Sequence, residues 1–293
     1  MDGSTIEFLA TGTRWQVDFL DNIPLNKLKE IESILKARAE EFETTYSRFR
    51  ENTLVSNMSK EEGVYELPPD GQSLFDTYWE LAKATDENFS PLVGKLLVDA
   101  GYDKELSFLK KNELEKLPKI ASVLDYTFPK VTVKKPWQLD FGAAGKGYLV
   151  DILGTILEEM GITDFCVDAG GDMLHRTSGD RVLRVGLENP EDANQVIGVA
   201  EIDSQSICGS SGNRRRWSNF HHIINPTALL SPTTILSTWV IADSTMLADG
   251  LATCLFFSPA KRLLEHFTFD YLILNSDFTI EKSDNFKAEL FLG

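Results

Sequence analysis

One stretch of the chain combines residues suited to binding a phosphate group. Residues 140–151 read DFGAAGKGYLVD and lead from a predicted strand at 137–141 into a helix that Gly161 ends. Small residues let a ligand approach the backbone, and the free amides at a helix start can face an anion. Lys146 adds a positive charge, and Asp140 can take a metal. The spacing is not that of a P-loop. The stretch indicates a phosphate-bearing ligand, although a plain tight turn has the same composition.

A second group of candidate residues lies on a predicted helix at 243–255, with Asp243 as its N-cap. Asp249 and Thr253 are four residues apart, so their oxygens project from the same side, and Gly250 leaves space beside them. A carboxylate and a hydroxyl suit Mg²⁺, which prefers hard oxygen ligands. A threonine bonded back to its own helix and an aspartate in solvent explain the same pair, so both interpretations stay open.

A third group lies near a predicted strand at 220–224. Side chains alternate along a strand, so His221 and His222 face opposite sides and at most one belongs to a given site. Imidazole is the usual general base near neutral pH, but a lone strand histidine is often structural. The turn at 210–213 can cradle phosphate or ribose, or it is simply a turn. The basic run 214–216 is either a solvated face or a contact for an acidic ligand.

Composition excludes several classes of protein. The 293 residues are 42% apolar and 25% charged, as in globular proteins. The net charge of −16 argues against a nucleic-acid partner and an anionic membrane surface. Cys166, Cys208 and Cys254 are odd in number and scattered, so we expect them to be reduced and buried. No apolar run approaches the ~18 residues of a membrane span, and no signal-peptide pattern begins the sequence. A cytoplasmic protein is expected.

The predicted elements change character along the chain. A strand at 14–20 precedes a helix opened by Pro24, a second helix starts at 68–70, and a solvated helix with a linker is predicted within 103–120. After the central helix the predicted strands cover residues 165–168, 182–187, 196–202, 235–242 and 271–274. Helices followed by mainly antiparallel strands indicate an α+β fold.

In this order, the candidate stretches resemble the ApbE family, the FAD:protein FMN transferases. Residues 140–151 are similar to its pattern Asp-(Leu/Phe)-Gly-Gly-(Ile/Ala)-Ala-Lys-Gly-Tyr-x-x-Asp, and residues 168–172 to its second glycine turn. Three further segments are similar to Thr-Ser-Gly-(Asn/Asp), His-x-x-(Asp/Asn)-Pro and Ala-Asp-x-Leu-Ala-Thr, namely 210–213, 222–226 and 248–253. Weaker likenesses occur at 11–13, 47–49 and 89–94, and the resemblance extends over roughly residues 10 to 285.

The resemblance implies an ApbE-like, T-fold-like α+β architecture with mixed or antiparallel sheets and packed helices. The chain would form one unit, 1–293, in which two lobes (about 10–135 and 136–290) can enclose the FAD site. The implied activity is Mg²⁺-dependent transfer of FMN from FAD to a Ser or Thr hydroxyl of an acceptor protein, through a phosphoester bond and with release of AMP.

The resemblance also implies roles for individual residues. Gly145 (through its carbonyl), Asp249 and Thr253 would hold the metal, and His222, as base, would be catalytic together with Asp249 and Lys146. The implied FAD-binding residues are Gly142, Lys146, Asp168, Gly170, Gly171, Ser211, Gly212, Asn213, Ser47 and Phe49.

The sequence departs from the family pattern on the acceptor side. Residues 225–228 read Asn-Pro-Thr-Ala, one residue shorter than the family's Asp-Pro-x-Thr-Gly. In the central turn, Ala143 stands in place of a glycine of the family pattern and Gly145 in place of an alanine. The acceptor pattern Asp-x-x-(Ser/Thr)-Gly-Ala-(Ser/Thr) does not occur in this sequence, so the implied acceptor is another protein. Two alternatives stay open: hydrolysis of FAD to FMN and AMP, and a non-catalytic FAD-binding protein.

Overall fold

A computed structural model describes residues 3–213 and 215–291, and Arg214 of the basic run lies outside them. Within these ranges the helices are α1 (Leu25–Tyr46), α2 (Leu54–Met58), α3 (Gly71–Ala84), α4 (Val93–Ala100), α5 (Ile120–Val123), α6 (Gly142–Glu159), α7 (Thr245–Cys254) and α8 (Ala260–Leu263). The strands are β1 (Thr5–Ala10), β2 (Thr13–Phe19), β3 (Gly63–Glu66), β4 (Leu124–Thr127), β5 (Lys130–Val133), β6 (Phe165–Asp168), β7 (Met173–Arg176), β8 (Leu183–Asn189), β9 (Asp192–Ile202), β10 (Ser206–Ser211), β11 (Arg216–Trp217), β12 (Phe220–His221), β13 (Ile235–Ala242), β14 (Asp270–Asn275), β15 (Ile280–Lys282) and β16 (Ala288–Leu290).

An eight-stranded sheet forms the centre of the fold, in the order β1-β2-β6-β7-β10-β13-β14-β15. All of its neighbouring strands pair antiparallel. Three smaller sheets have the orders β16-β9-β8, β3-β5-β4 and β11-β12. Antiparallel sheets with packed helices confirm the predicted α+β class, whereas the division into two lobes stays a prediction.

Helix α6 lies at the centre of the helical layer because it is apolar on nearly every side. It packs against α1, α3 and α7 and against the strands β6 and β7. Its first two turns supply small buried residues, including Ala144, Gly145 and Gly147. Gly161 has φ +77°, a left-handed conformation that favours glycine, and the helix ends just before it as predicted.

Helix α7 begins one residue later than predicted. Ser244, not Asp243, is the N-cap: its side chain accepts a hydrogen bond from the Leu247 amide, while Asp243 stays exposed. Met246 and Asp249 are buried on this helix, with 8% and 6% of their surface exposed. The helix packs against α3, α6, β10 and β13, so little of its surface is left for solvent.

Three other predicted elements are absent or shorter in the described chain. Residues 137–141 form no strand, because their backbone amides bond to loops: Leu139 donates to Ser59 Oγ and Asp140 to the Pro91 carbonyl. Residues 103–119 form no helix and follow an irregular path. The predicted strand at 220–224 is limited to β12, which pairs with β11 alone.

Cys166, Cys208 and Cys254 are free and buried, as predicted. In the described part of the chain, no helix has both the length and the apolar content needed to cross a membrane.

Candidate functional site

A cavity of about 680 Å³ opens at the start of α6 and reaches α7, the end of β10 and the loops around them. The residues of the sequence-based site that line it are Ser47, Phe49, Gly142, Gly145, Lys146, Gly170, Ser211, His222, Asp249 and Thr253. These residues come from six separate segments of the chain, so the fold brings together most of the positions that the sequence indicated.

Helices α6 and α7 approach each other closely at Gly147. A Cβ atom at this position would lie 2.4 Å from the carbonyl oxygen of Thr245 and 2.8 Å from the Cβ atom of Asp249. Only glycine fits there, and its amide donates a 2.9 Å hydrogen bond to Asp249 Oδ2. The Asp249 carboxylate is thereby held against the second turn of α6, one turn before Thr253 on its own helix.

Burial and nearby charges act in opposite directions on Asp249. Removal from water raises the pKa of its carboxyl group, and the Lys146 ammonium and the Gly147 amide lower it. Lys146 in turn forms an ion pair with the buried carboxylate of Asp172. A cation bound beside Asp249 would favour its charged form.

The donor groups on this part of the wall fit a hard divalent cation. Asp249 offers a carboxylate, Thr253 a hydroxyl and Gly145 a backbone carbonyl, and all three residues line the cavity. Ser210 Oγ lies 3.4 Å from Thr253 Oγ1. No cluster of three or more His, Cys, Asp or Glu side chains suited to a metal occurs among residues 3–213 and 215–291. Of the three candidate donors only Asp249 is a carboxylate, and three donors leave coordination positions for water or phosphate oxygens.

Asp140 is engaged by other groups and does not present an open carboxylate. Its Oδ1 accepts a 2.6 Å hydrogen bond from the Gly142 amide, and its Oδ2 accepts one from Arg48 Nε. The Arg48 side chain is 3% exposed and its guanidinium lies 4.1 Å from the Phe49 ring centroid. The pair fixes the turn that precedes α6, and sequence reasoning missed Arg48 although it stands between two candidate residues.

An aromatic and cationic cluster forms another part of the cavity wall. Tyr102 stacks on Phe108 and Trp217, with ring centroids 6.3 and 5.8 Å away. Arg215 donates a hydrogen bond to the Tyr102 hydroxyl, and its guanidinium lies 5.6 Å from the ring centroid. Tyr102, Phe108 and Arg215 line the cavity. Sequence analysis indicated only the arginine, and Tyr102 and Phe108 fall beside and within a segment predicted to be a linker.

The two neighbouring histidines have different surroundings. His222 lines the cavity. The His221 ring accepts a hydrogen bond at Nδ1 from the Ile223 amide, so its Nε2 carries the proton and donates to the Pro232 carbonyl, 3.0 Å away. Burial lowers the pKa of His221, which keeps the ring neutral. His221 is a structural residue, and His222 is the histidine of the candidate site.

Four predicted FAD-binding residues lie outside the cavity lining. Asp168 Oδ1 accepts a 2.7 Å hydrogen bond from the Gly171 amide and closes the turn after β6. The absence of a side chain at Gly212 leaves room for the His221 ring, which would lie 3.1 Å from a Cβ atom at this position. Asn213 donates a hydrogen bond to the Pro190 carbonyl. These residues shape turns next to the cavity, and their contact with FAD stays a prediction.

The shortened loop after His222 is closed by its asparagine. Asn225 Oδ1 accepts 2.9 Å hydrogen bonds from the amides of Thr227 and Ala228. An amide oxygen therefore closes this turn without a carboxylate. Ile223 and Ile224, at the start of the same loop, line the cavity.

Comparisons with known proteins agree with this architecture. A model of the ApbE family matches residues 11–271. The FAD:protein FMN transferase of Rhodobacter capsulatus is 25% identical over 234 residues, which cover 75% of this chain and 44% of that protein. A FAD:protein FMN transferase of Klebsiella pneumoniae (strain 342) is 32% identical over 111 residues, which cover 36% of this chain and 34% of that protein. The matches thus span less than half the length of these relatives.

Solved structures show the same fold. The ApbE protein of Thermotoga maritima superposes with a TM-score of 0.81 at 20% identity, covering 97% of each chain. The flavin transferase ApbE of Vibrio cholerae gives a TM-score of 0.78 at 17% identity, covering 96% of this chain and 97% of that one.

Proposed function

Since the chain belongs to the ApbE family, we propose that it transfers FMN from FAD to an acceptor protein. In the proposed reaction a Ser or Thr hydroxyl oxygen of the acceptor attacks the phosphorus on the FMN side of the diphosphate. A phosphoester bond forms, the bond to the AMP phosphate breaks, and the hydroxyl proton passes to a base. The curated relatives with the name FAD:protein FMN transferase support this assignment.

The observation that carries the proposal is that residues of α6 and α7 line the same cavity next to the contact between the two helices. Gly145, Asp249 and Thr253 would hold Mg²⁺ there, with Asp249 kept in place by the Gly147 amide. When bound, the ion would neutralise charge on the diphosphate and on the departing AMP. The three donors are hard oxygens, as Mg²⁺ prefers.

Other residues on the same wall would bind the substrate. Lys146 is suited to the diphosphate, because an ammonium group favours anions. The expected amides at the start of α6 are less suited, because those of Gly142 and Gly145 already donate to Asp140 Oδ1 and to the Phe141 carbonyl. Ser47, Phe49, Gly142, Gly170 and Ser211 would contact other parts of FAD. Asp168, Gly171, Gly212 and Asn213 would act by shaping the turns around it.

His222 is the proposed base for the acceptor hydroxyl. Imidazole accepts a proton near neutral pH, and this side chain lines the cavity that contains the metal-binding candidates. The acceptor would be a separate protein with a site similar to Asp-x-x-(Ser/Thr)-Gly-Ala-(Ser/Thr).

One incubation tests the proposal against its alternatives. The protein is mixed with FAD, Mg²⁺ and a peptide that carries the acceptor pattern, and the products are read by intact mass and nucleotide chromatography. Peptide that gains FMN, with an equal amount of AMP, supports transfer. AMP and free FMN with unmodified peptide would show a FAD hydrolase, and bound but unaltered FAD would show a non-catalytic binding protein.

Two variants test the assigned roles. Asp249→Ala should abolish Mg²⁺-dependent turnover, and the exposed Asp243→Ala just before α7 should leave it intact. His222→Ala should slow transfer by about 10²- to 10⁴-fold, the usual contribution of a general base, while FAD affinity stays largely unchanged. Full activity of Asp249→Ala would refute the metal assignment, and equal loss of FAD affinity in His222→Ala would refute the base.

A further inference from the structure

Asp151, on α6, makes a set of contacts that the proposed reaction does not use. Its Oδ1 accepts a 2.8 Å hydrogen bond from the Thr245 amide. Its Oδ2 accepts hydrogen bonds from Ser244 Oγ at 2.8 Å and from the Met246 amide at 2.9 Å. Both amides belong to the first turn of α7, where helix geometry leaves them without a partner inside the helix. A carboxylate of α6 therefore caps the start of α7 from outside.

This contact has a counterpart that runs in the opposite direction. Asp249 of α7 accepts a hydrogen bond from the Gly147 amide of α6. Gly147 and Asp151 are four residues apart, so they lie on the same side of α6. The two helices are thus joined by two carboxylate-to-amide contacts, each carboxylate coming from a different helix. The two contacts lie one turn apart along α6, so both oppose a displacement of one helix along the other.

The distances between the proposed metal ligands depend on how α7 is placed along α6, that is, on the register of the two helices. Gly145 lies on α6, and Asp249 and Thr253 lie on α7. A displacement of either helix along the other therefore changes the distances from Gly145 to Asp249 and to Thr253. The Asp151 contacts hold α7 at its first turn, and Asp249 follows one turn later. Ser244 already caps α7 through the Leu247 amide, so the helix start does not depend on Asp151 for its only cap.

We propose that Asp151 is a positioning residue, which sets the affinity for Mg²⁺ by holding α7 in register with α6. The inference rests on the proposed function, since it assumes that Gly145, Asp249 and Thr253 hold the metal. Groups that orient metal ligands typically change metal affinity by about 10- to 100-fold when they are replaced.

The test is Asp151→Asn, which keeps the size of the side chain. It replaces one carboxylate oxygen by an NH₂ group, which cannot accept a hydrogen bond from the donors at the start of α7. Mg²⁺ affinity is measured by titration calorimetry and by the rise in Tm on adding Mg²⁺, both without FAD. We expect an affinity about 10- to 100-fold weaker than native, and AMP release that recovers towards the native kcat at saturating Mg²⁺.

Asp164→Asn is the matched control. Asp164 also accepts hydrogen bonds from a following turn, from Thr177 Oγ1, the Ser178 amide and Ser178 Oγ at 3.0, 3.1 and 2.7 Å, and a fourth from Thr163 Oγ1 at 2.8 Å. It lies outside the cavity lining. This variant should lose stability and keep native Mg²⁺ affinity. Ser244→Ala keeps both amide contacts and should weaken Mg²⁺ binding by a smaller factor, which provides a test if Asp151→Asn does not fold.

The outcomes separate this inference from the proposed function. Native Mg²⁺ affinity in folded Asp151→Asn, or an equal weakening in Asp164→Asn, would overturn the positioning role. If Asp151→Asn does not fold, native Mg²⁺ affinity in Ser244→Ala would overturn it. If the native protein binds Mg²⁺ but does not act on FAD, the proposed function fails, whereas a weaker affinity in Asp151→Asn still supports the positioning role. Absence of Mg²⁺ binding by the native protein would overturn both.

Discussion

A single added methyl group at Gly147 tests the geometry of the candidate site. In Gly147→Ala the new Cβ atom would meet the Thr245 carbonyl oxygen at 2.4 Å, whereas ordinary contacts of this kind are 3.4–4 Å. The oxygen belongs to the backbone and cannot rotate away, as a side chain would. Helices α6 and α7 must therefore separate by about 1 Å, because a close-packed interior has no room to absorb the overlap.

The expected effects on stability and on rate differ in size. Overpacking of this kind costs about 1–3 kcal/mol. For 293 residues, an unfolding entropy of about 2.1 cal/mol/K per residue converts this cost into a fall in Tm of roughly 2–5 °C. The same separation carries Asp249 away from Gly145, and a misplacement of about 1 Å can lower the rate on the order of 100-fold. Activity should therefore fall far more than stability.

Differential scanning calorimetry and initial rates of AMP release over a range of Mg²⁺ concentrations measure the two effects. Gly154→Ala is the matched control on the same helix, because its Cβ atom would overlap the end of the buried Leu174 side chain and no atom of α7. Overpacking should lower its Tm by a similar amount, whereas its activity should be kept. A native rate for Gly147→Ala would show that the α6–α7 contact does not determine the site.

Three further predictions follow from buried groups. Arg48→Ala would leave the Asp140 carboxylate buried without its cation, so calorimetry should show a loss of about 3–5 kcal/mol and a Tm lower by roughly 5–8 °C. The Tyr78 hydroxyl is buried beside the amides of Ala143 and Ala144 in the first turn of α6, so Tyr78→Phe removes an acceptor for these amides and should lower the Tm; an unchanged or higher Tm would contradict this. Burial raises the pKa of Asp249, and Mg²⁺ binds the carboxylate. On acidification the Mg²⁺-induced rise in Tm should therefore begin to shrink at a pH above the ordinary Asp value of about 3.9, and Asp249→Asn should show no such rise at any pH.

Several features were predictable from the sequence because they depend on neighbours along the chain. The strand predicted at 235–242 is β13 (Ile235–Ala242), and the strand predicted at 165–168 is β6 (Phe165–Asp168). The placement of Asp249 and Thr253 on one side of a helix follows from helical periodicity alone. The same local rule separated His221 from His222, and the structure places only the second of them in the cavity lining.

Local rules failed where the backbone finds its partners far away. Residues 137–141 alternate as a strand does, yet their amides bond to loops. Residues 103–119 are rich in lysine and glutamate, as helices often are, but the amides of Lys111 and Asn112 bond to the carbonyl of Asp99. Such long-range hydrogen bonds leave no periodic trace in the sequence.

The sequence by itself determined which residues have the chemistry for a phosphate and a metal, and where most of the regular elements lie. Only the tertiary structure decided how these residues meet. Arg48 reaches Asp140 and Asp151 reaches the start of α7 from segments more than 90 residues away. Side-chain periodicity describes one element at a time, whereas these contacts depend on how α6 packs against its neighbours, which is set by the shape and volume of the whole core.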